Sequence, residues 1–269
     1  MKKNKFNILF IDKKVASKNF ACYFLDNCKL FLLLDKKQKE ETEIFSSFNF
    51  EEKTKIKFDS IFIFSPIEYK QLEYLNVCLK PNAQILTNNF QAYSILKNNN
   101  FDVVYISLDL DNDFNKEQQI ILYANNDYGL DNFAPKITIK EKSDILNIEL
   151  ANIVLNNAIL SELYLCGNKT KALLYKPKSQ KHIINLIKEQ VELTNSCLLT
   201  LDILKFNFYT FLSSSNVVKH LKLFMFLSNL KKQQLNTQEL KNNIEKILQL
   251  NYNKYVNIKY LNKIFEMLS

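Results

Sequence analysis

Residues 5–25 read KFNILFIDKKVASKNFACYFL. Their first part, Lys5–Ile11, is a largely apolar run of strand length, which is typical of a strand buried on both faces of a parallel sheet. From Val15 to Leu25 the apolar residues recur at helical spacing instead. Alternating α/β folds begin with a buried strand that leads straight into a helix. The stretch therefore predicts a mostly parallel sheet with helical connections in the N-terminal part of the chain.

The alternation of short apolar runs with helical spacing continues to residue 139. Further strands are predicted at Lys29–Leu34, Phe58–Phe64, Gln84–Thr87, Phe101–Leu108, Gln118–Tyr123 and Lys136–Ile139, and helices at Ile67–Leu79 and Asn88–Leu96. After Lys140 only helical patterns follow, at Ser143–Leu165, Gln180–Thr194, Leu198–Leu212, Val217–Lys231, Thr237–Leu250 and Ile258–Leu268. The predicted fold class is therefore α/β plus all-α, with a Rossmann-like domain over residues 1–139 and a helical domain over residues 140–269.

The composition is that of a folded protein, since 47% of its 269 residues are hydrophobic. No apolar run approaches the roughly 20 residues that span a bilayer. The lysine-rich start, Met1–Lys5, is followed by only a short apolar run and by no small-residue cleavage site. We therefore expect a cytoplasmic protein that has no membrane partner.

The five cysteines and two histidines are scattered, and none of them form a zinc-ligand spacing. The sequence therefore predicts no metal site and free thiols that are mostly packed in the interior. His182 and His220 fall in predicted helices and have no acidic neighbours in a triad-like pattern. We expect both histidines on the surface.

The net charge of +8 comes from lysine, because none of the 36 basic residues is arginine. Base readout in a DNA groove and bidentate phosphate recognition both favour arginine. We therefore expect no nucleic-acid partner. A lysine-rich accessory protein for nucleic acids remains a weaker alternative, and it predicts binding that falls steeply with salt.

The turn after the first strand is the first candidate site. Rossmann-like domains that bind a dinucleotide usually carry Gly-x-Gly-x-x-Gly there, so that the diphosphate can approach the helix N-terminus. Here Asp12, Lys14 and Ser17 occupy the three glycine positions. In one interpretation, backbone amides, Lys13, Lys14 and the Ser17 hydroxyl still bind a phosphate. In the other, the turn belongs to a domain that has lost its nucleotide.

The end of the second strand carries a second candidate site, Asp35-Lys36-Lys37. It lies about twenty residues after the turn, where an acidic residue would bind the ribose hydroxyl and a basic residue would bind a 2′-phosphate. Two lysines beside Asp35 favour NADP over NAD. A solvated charged loop is the alternative.

Several further segments, taken in their order along the chain, resemble the landmarks of a known protein family. Asp59–Ser65 is an Asp followed by an apolar run, and Leu79–Asn89 contains Leu-x-Pro, a strand and then Asn88-Asn89. In the helical half, Asn152 and Asn156 lie four residues apart on one helix face. Leu165–Pro177, Thr237–Leu250 and Tyr260–Leu268 follow in the same order. Together these landmarks resemble the ketopantoate reductase family over most of the chain.

The resemblance implies NADPH-dependent reduction of ketopantoate (2-dehydropantoate) to pantoate, on the route to pantothenate and coenzyme A. It implies that Ser65 and Asn88 contact the cofactor. It also implies a keto acid substrate in the cleft between the domains, against Asn152, Asn156 and Glu239. The sequence leaves a homodimer open.

The chain departs from the family at the proton donor. Those enzymes use a lysine four residues before the first asparagine, and Ile148 occupies that position here. Which other lysine could serve instead is left open among Lys140, Lys142, Lys169 and Lys171. The substrate-binding acid is likewise open between Gln238 and Glu239. Two alternatives remain: a relative that has lost catalysis and acts as a nucleotide-binding or interaction protein, and a reductase of another keto acid.

Overall fold

The computed structural model describes residues 6–12, 20–24, 28–33, 46–48, 56–107, 120–126, 130, 134–169, 173, 175–197, 236–253 and 256–269. The chain divides into two compact units, Met1–Leu146 and Asn147–Ser269. The first contains a sheet with helices, and within its described residues the second contains helices alone. The predicted fold class is confirmed. The boundary predicted at residues 139 and 140 stays a prediction.

The described residues of the first unit form an eight-stranded sheet in the order β3-β2-β1-β4-β5-β6-β7-β8. Every neighbouring pair is parallel except β6 and β7, which are antiparallel. The strands are β1 Phe6–Ile11, β2 Cys28–Leu33, β3 Ser46–Phe48, β4 Phe58–Ile63, β5 Leu79–Thr87, β6 Val103–Ser107, β7 Ile120–Ala124 and β8 Ile137–Glu141. Strands β1 to β6 follow the Rossmann order, which reverses direction between β1 and β4.

Strand β1 lies at the centre of this sheet, and Ile8 to Ile11 are all buried. The Phe10 ring stacks on the Phe62 ring of β4, with centroids 5.3 Å apart. Phe20 packs edge-on against Phe62 at 5.5 Å. The unbroken apolar run of β1 is thus explained by burial on both faces, as its sequence predicts.

Two strands differ from the prediction. Strand β5 begins at Leu79 rather than Gln84, because the segment with Pro81 and Asn82 forms an irregular start of the strand. Asn82 has φ 65°, and the register with β4 shifts at this point. Proline and a left-handed residue look like a turn in sequence, but both are tolerated at a bulge. Strand β3 was not predicted, since its three residues are too few to form a pattern.

Two helices of the first unit are described, α1 Tyr69–Cys78 and α2 Phe90–Asn98. Each begins two residues after its predicted start. Of the helix predicted at Val15–Leu25, only residues 20–24 are described, and Phe20 and Ala21 are helical.

The second unit contains α4 Pro177–Ser196, α5 Thr237–Leu248, a 3₁₀ turn Gln249–Asn251 and α6 Lys259–Leu268, and most of α3 Ile145–Leu165. Helix α3 ends at Leu165, and Gly167, two residues further on, has φ 62°. The Gly167 amide donates to Tyr164 O and the Asn168 amide to Leu163 O, the paired bonds of a Schellman cap. The helices predicted at Leu198–Leu212 and Val217–Lys231 lie outside the described residues. Among the helices that are described, none combines the length and hydropathy needed to cross a membrane.

Candidate functional site

The carboxyl edge of the sheet brings three of the predicted site residues together. In the strand register, Ile11 of β1 is paired with Ile63 of β4, and Ile63 with Thr87 of β5. Asp12, Ser65 and Asn88 therefore follow three adjacent parallel strands at one edge. Asp12 and Ser65 flank the point where the strand order reverses, which is where ligands bind in open α/β sheets.

Backbone and side-chain hydrogen bonds tie the ends of β1 and β4 together. The Phe64 amide donates to Ile11 O at 2.9 Å, and the buried Ser65 hydroxyl donates to the same oxygen at 3.4 Å. The donation to Ile11 O fixes Ser65 beside the end of β1. Its contact with a cofactor remains a prediction.

The loop after β4 is fixed by Gln91, a residue that sequence reasoning missed. The Ile67 amide donates to Gln91 Oε1 at 2.9 Å, and Gln91 Nε2 donates back to Ile67 O at 2.8 Å. Gln91 is buried, and this pair of bonds satisfies both ends of its amide. The loop that carries Ser65 is therefore held by helix α2. Nothing in the sequence marks this glutamine.

Thr87, Asn88 and Asn89 connect β5 with α2. The Thr87 hydroxyl donates to Ile63 O at 2.7 Å and accepts from the Asn89 amide at 3.0 Å. Asn89 Oδ1 accepts from the Ala92 amide and so caps the helix. Asn89 has φ −99°, an ordinary extended value that any residue can adopt. Because Asn89 forms the cap, the half-buried Asn88 side chain does not take part in capping α2.

We expect the Thr87→Val substitution to lower the free energy of unfolding by about 1–2 kcal/mol. Valine has nearly the same shape, but it removes the hydroxyl that bonds both the Ile63 carbonyl and the Asn89 amide. Calorimetric melting of the purified variants measures the effect. Thr87→Ser keeps the hydroxyl and is the matched control. Equal melting temperatures for the two variants would contradict this role of the hydroxyl.

Helix α3 carries the two predicted asparagines of the helical unit. Asn152 is exposed and Asn156 is half-buried, one turn apart on the helix. Ile148, at the position of the implied lysine, is half-buried as well. The next residue, Asn157, is fully buried. Of these two adjacent asparagines, Asn156 is therefore accessible and Asn157 is internal.

Asn157 links three helices. Its Nδ2 donates to Gln190 Oε1 of α4 at 3.1 Å and to Asn243 O of α5 at 3.2 Å. Gln190 Nε2 in turn donates to the carbonyls of Val154 and Leu186. Sequence reasoning did not single out either side chain of this internal network.

Glu239 lies exposed in the first turn of α5, where a carboxylate interacts favourably with the helix dipole. Asn236 Oδ1 accepts from the Glu239 amide and caps the helix. The neighbouring Gln238 donates its side-chain amide to Asn242 Oδ1 at 3.1 Å. Gln238 is therefore engaged along the helix surface, whereas the Glu239 carboxylate lies beside the helix N-terminus.

The sequence predicts His182 on the surface without an acidic neighbour in a triad-like pattern, but in the structure it is half-buried and has an acidic partner. His182 Nδ1 lies 2.5 Å from Glu162 Oε2, and the Glu162 carboxylate is buried. The His182 ring also packs edge-on against Tyr260, with centroids 5.3 Å apart. Glu162 is on another helix, so no local sequence pattern reveals the pair. Along α3, Glu162 lies roughly 20 Å from Ile148, too far for His182 to replace the missing lysine.

The remaining predicted cofactor residues, Lys13, Lys14, Ser17, Asp35, Lys36 and Lys37, lie outside the described residues. So does His220. All five cysteines lie in the described part of the chain and none forms a disulfide; Cys78 and Cys197 are buried. Among the described side chains, no group of three or more His, Cys, Asp and Glu is arranged to hold a metal ion.

Comparison with known proteins reveals likeness in structure alone. No family model matches the chain, and no curated protein matches it in sequence. A structure from Enterococcus faecalis assigned to the 2-dehydropantoate 2-reductases is similar with a TM-score of 0.53 and 10% identity, over 98% of this chain and 97% of that one. A ketopantoate reductase from Ralstonia eutropha gives 0.52 and 9%, over 98% and 97%. A 2-dehydropantoate 2-reductase from Porphyromonas gingivalis gives 0.50 and 10%, over 99% of both chains. At the level of the fold, the resemblance seen in the sequence is confirmed.

Proposed function

We propose that this chain is an NADPH-dependent reductase of 2-keto acids whose substrate is ketopantoate, which it reduces to pantoate for pantothenate and coenzyme A synthesis. The observation that carries the proposal is the likeness to ketopantoate reductase structures over nearly the whole chain. Fold alone does not determine chemistry, so the placement of polar residues at the strand ends is the second support.

The carboxyl edge of the sheet supports the cofactor part of the proposal. Three adjacent parallel strands end there in the polar residues Asp12, Ser65 and Asn88, and an N-capped helix, α2, starts beside them. In the proposal Asn88 lies on the nicotinamide side, and the phosphates are bound by the turn after β1, through Lys13, Lys14, Ser17 and its backbone amides. The bound cofactor supplies a hydride.

The keto acid is bound by the helical unit in this proposal. The Asn152 and Asn156 amides donate hydrogen bonds to the substrate's carboxylate and keto oxygens, and Glu239 accepts one from a hydroxyl. As hydride reaches the carbonyl carbon, negative charge grows on the keto oxygen, and a fixed amide donor stabilises that charge. One keto acid, one NADPH and one proton yield one hydroxy acid and NADP⁺. The proton comes from a group other than the apolar Ile148.

The preference for NADPH is expected to depend on Lys36 and Lys37. Changing either lysine to glutamate should lower kcat/KM for NADPH about tenfold or more and leave the value for NADH nearly unchanged, since only NADPH has the 2′-phosphate. Steady-state kinetics with both cofactors measure this. Lys97→Glu is the control, because it makes the same charge change at the exposed C-terminal turn of α2. An equal loss with NADH would contradict a 2′-phosphate site.

Cofactor binding and substrate range test the proposal together. NADPH should raise the melting temperature of the purified protein in a saturable manner. NADPH oxidation should be faster with ketopantoate than with other 2-keto acids. In the reverse direction, NADP⁺ reduction should be faster with pantoate than with 3-hydroxy acids. If another keto acid is reduced faster, the reductase assignment stands and ketopantoate is the wrong substrate.

A second candidate function is a relative without catalysis that binds a nucleotide or a partner protein. The observation that favours it is Ile148, which is half-buried and apolar at the place of the implied proton donor. Both forms of this candidate predict no turnover of any keto acid, and the nucleotide-binding form predicts a melting shift with NADPH. The Ile148→Lys variant separates the two functions further, since a gain of turnover in it would identify an intact substrate site that lacks only its acid.

A further inference from the structure

We propose that Asn157 is a positioning residue for the keto acid site, because it fixes helix α5, with Glu239, against helix α3, with Asn152 and Asn156. This inference rests on the proposed function for the identity of the substrate. Its geometric part concerns only the helical unit.

The orientation of the Asn157 amide follows from its neighbours. Gln190 Nε2 faces two backbone carbonyls, Val154 O and Leu186 O, so its Oε1 must point the other way. That oxygen faces Asn157, which therefore has to present its Nδ2 as a donor. The same Nδ2 reaches Asn243 O on α5 at 3.2 Å. Gln190 thus dictates that Asn157 donates towards α5.

The position of Asn243 makes this bond relevant to the candidate site. Asn243 is one helical turn after Glu239 on α5, and Asn157 directly follows Asn156 on α3. The bond thus joins the two helices close to the side chains that the proposal assigns to the substrate. Because Asn157 is fully buried, water cannot replace the lost donor when it is substituted.

The surroundings of the hydrogen bond between Asn157 and Asn243 O explain why it matters for the placement of α5. Leu240 and Ile244 of α5 are buried on either side of this register, so the face of α5 near Asn157 lies in the interior of the helical unit. Apolar contacts have little directional preference, and a helix held by them alone can slide or rotate. The hydrogen bond from Asn157 favours one rotation of α5 about its axis and one position of α5 along that axis, relative to α3. A substrate held by both helices requires that geometry within a fraction of an ångström.

The test replaces Asn157 by leucine, which has the same branched shape and number of side-chain heavy atoms but no donor. We expect KM for the keto acid to rise about tenfold, while the dissociation constant for NADPH stays as in the wild type. Hydrogen exchange of the amides over Thr237–Leu248 should accelerate more than exchange in α6. A merely structural role would lower the active fraction and kcat, and it would leave KM unchanged.

Ser161→Ala is the matched control, because Ser161 is one turn further along α3 and equally buried, and its hydroxyl has no hydrogen-bond partner among the described residues. It should retain the wild-type KM and exchange. Asn157→Ser keeps a shorter donor and should give an intermediate rise in KM. It replaces Asn157→Leu as the test variant if the leucine variant does not fold. In Glu239→Gln, adding Asn157→Leu should raise KM less than it does in the wild type, since both changes act through Glu239.

The outcomes separate the two proposals. If the wild type turns over no keto acid, the proposed function fails, and the exchange of α5 still decides whether Asn157 holds it. Unchanged exchange over Thr237–Leu248 in Asn157→Leu overturns the inference in either case. So does an unchanged KM in an active Asn157→Leu enzyme.

Discussion

Replacing Asn156 by alanine should lower kcat/KM for ketopantoate about a hundredfold and leave the affinity for NADPH unchanged. Asn156 is half-buried on α3, and in the proposed function its amide donates to the oxygen on which charge develops. In the proposed function, loss of this donor removes stabilisation that exists mainly in the transition state. The loss should therefore appear in kcat. Steady-state kinetics over a range of ketopantoate concentrations measure it.

Asn147→Ala is the control for that substitution. Asn147 is also half-buried on α3, but it lies about half a turn around the helix axis from Asn156. It should retain wild-type kinetics. Equal losses in the two variants would mean that any asparagine on α3 contributes alike, and the assignment of Asn156 to the substrate would then be wrong.

The Glu189→Ala substitution should lower the free energy of unfolding of the helical unit by about 3 kcal/mol, equivalent to roughly 10 °C in its melting temperature. The Glu189 carboxylate on α4 accepts from the amides of Tyr260 and Leu261, each at 2.9 Å. These amides begin α6, and its N-cap residue, Ile258, provides no side-chain bond. A carboxylate at this end also interacts favourably with the helix dipole. Its removal leaves two amide groups at the start of the helix without an acceptor.

Thermal melting of three variants tests this cap. Glu189→Gln keeps one uncharged acceptor and should lose about half as much stability as Glu189→Ala. Glu192→Ala changes an exposed glutamate on the same helix and should be within about 0.5 kcal/mol of the wild type. If Glu189→Ala and Glu192→Ala have the same melting temperature, the Glu189 carboxylate does not stabilise α6.

The strands of the sheet were largely predictable because burial on both faces leaves a direct pattern in sequence. The run Ile8–Ile11 is apolar without interruption, and it forms the central strand. Strand β3 has no such pattern, since it has three residues at the sheet edge. The antiparallel pairing of β6 with β7 was not predicted either. Strand direction depends on how the chain returns to the sheet, and an apolar run gives no information about that.

The candidate site was predictable only where chain order implies proximity. Asp12, Ser65 and Asn88 follow three predicted parallel strands, so a common edge could be expected. Gln91 and Glu189 act on backbone groups that are distant in sequence, and no pattern identifies such partners. The same holds for His182 and Glu162, which meet from different helices.

A signal for Asn157 was nevertheless present in the sequence. Five of the buried positions of α3 are spaced i, i+4, i+7, i+8 and i+11, as expected for one helix face; they are Leu150, Val154, Asn157, Ala158 and Ser161, and Ile145, Ile159, Glu162 and Leu163 are buried as well. The apolar members of this series place residue 157 on the buried face and residue 156 beside it. Applying that spacing to the two asparagines would have separated an internal role from an accessible one.

Product formation tests the central claim most directly. Purified protein is incubated with NADPH and ketopantoate, and NADPH oxidation and pantoate are measured in the same sample, with Asn156→Ala and Asn147→Ala in parallel. The proposed function predicts one pantoate for each NADPH oxidised by the wild type and by Asn147→Ala, and about a hundredfold less from Asn156→Ala. Absence of pantoate in every sample, with no change in melting temperature on addition of NADPH, would contradict it.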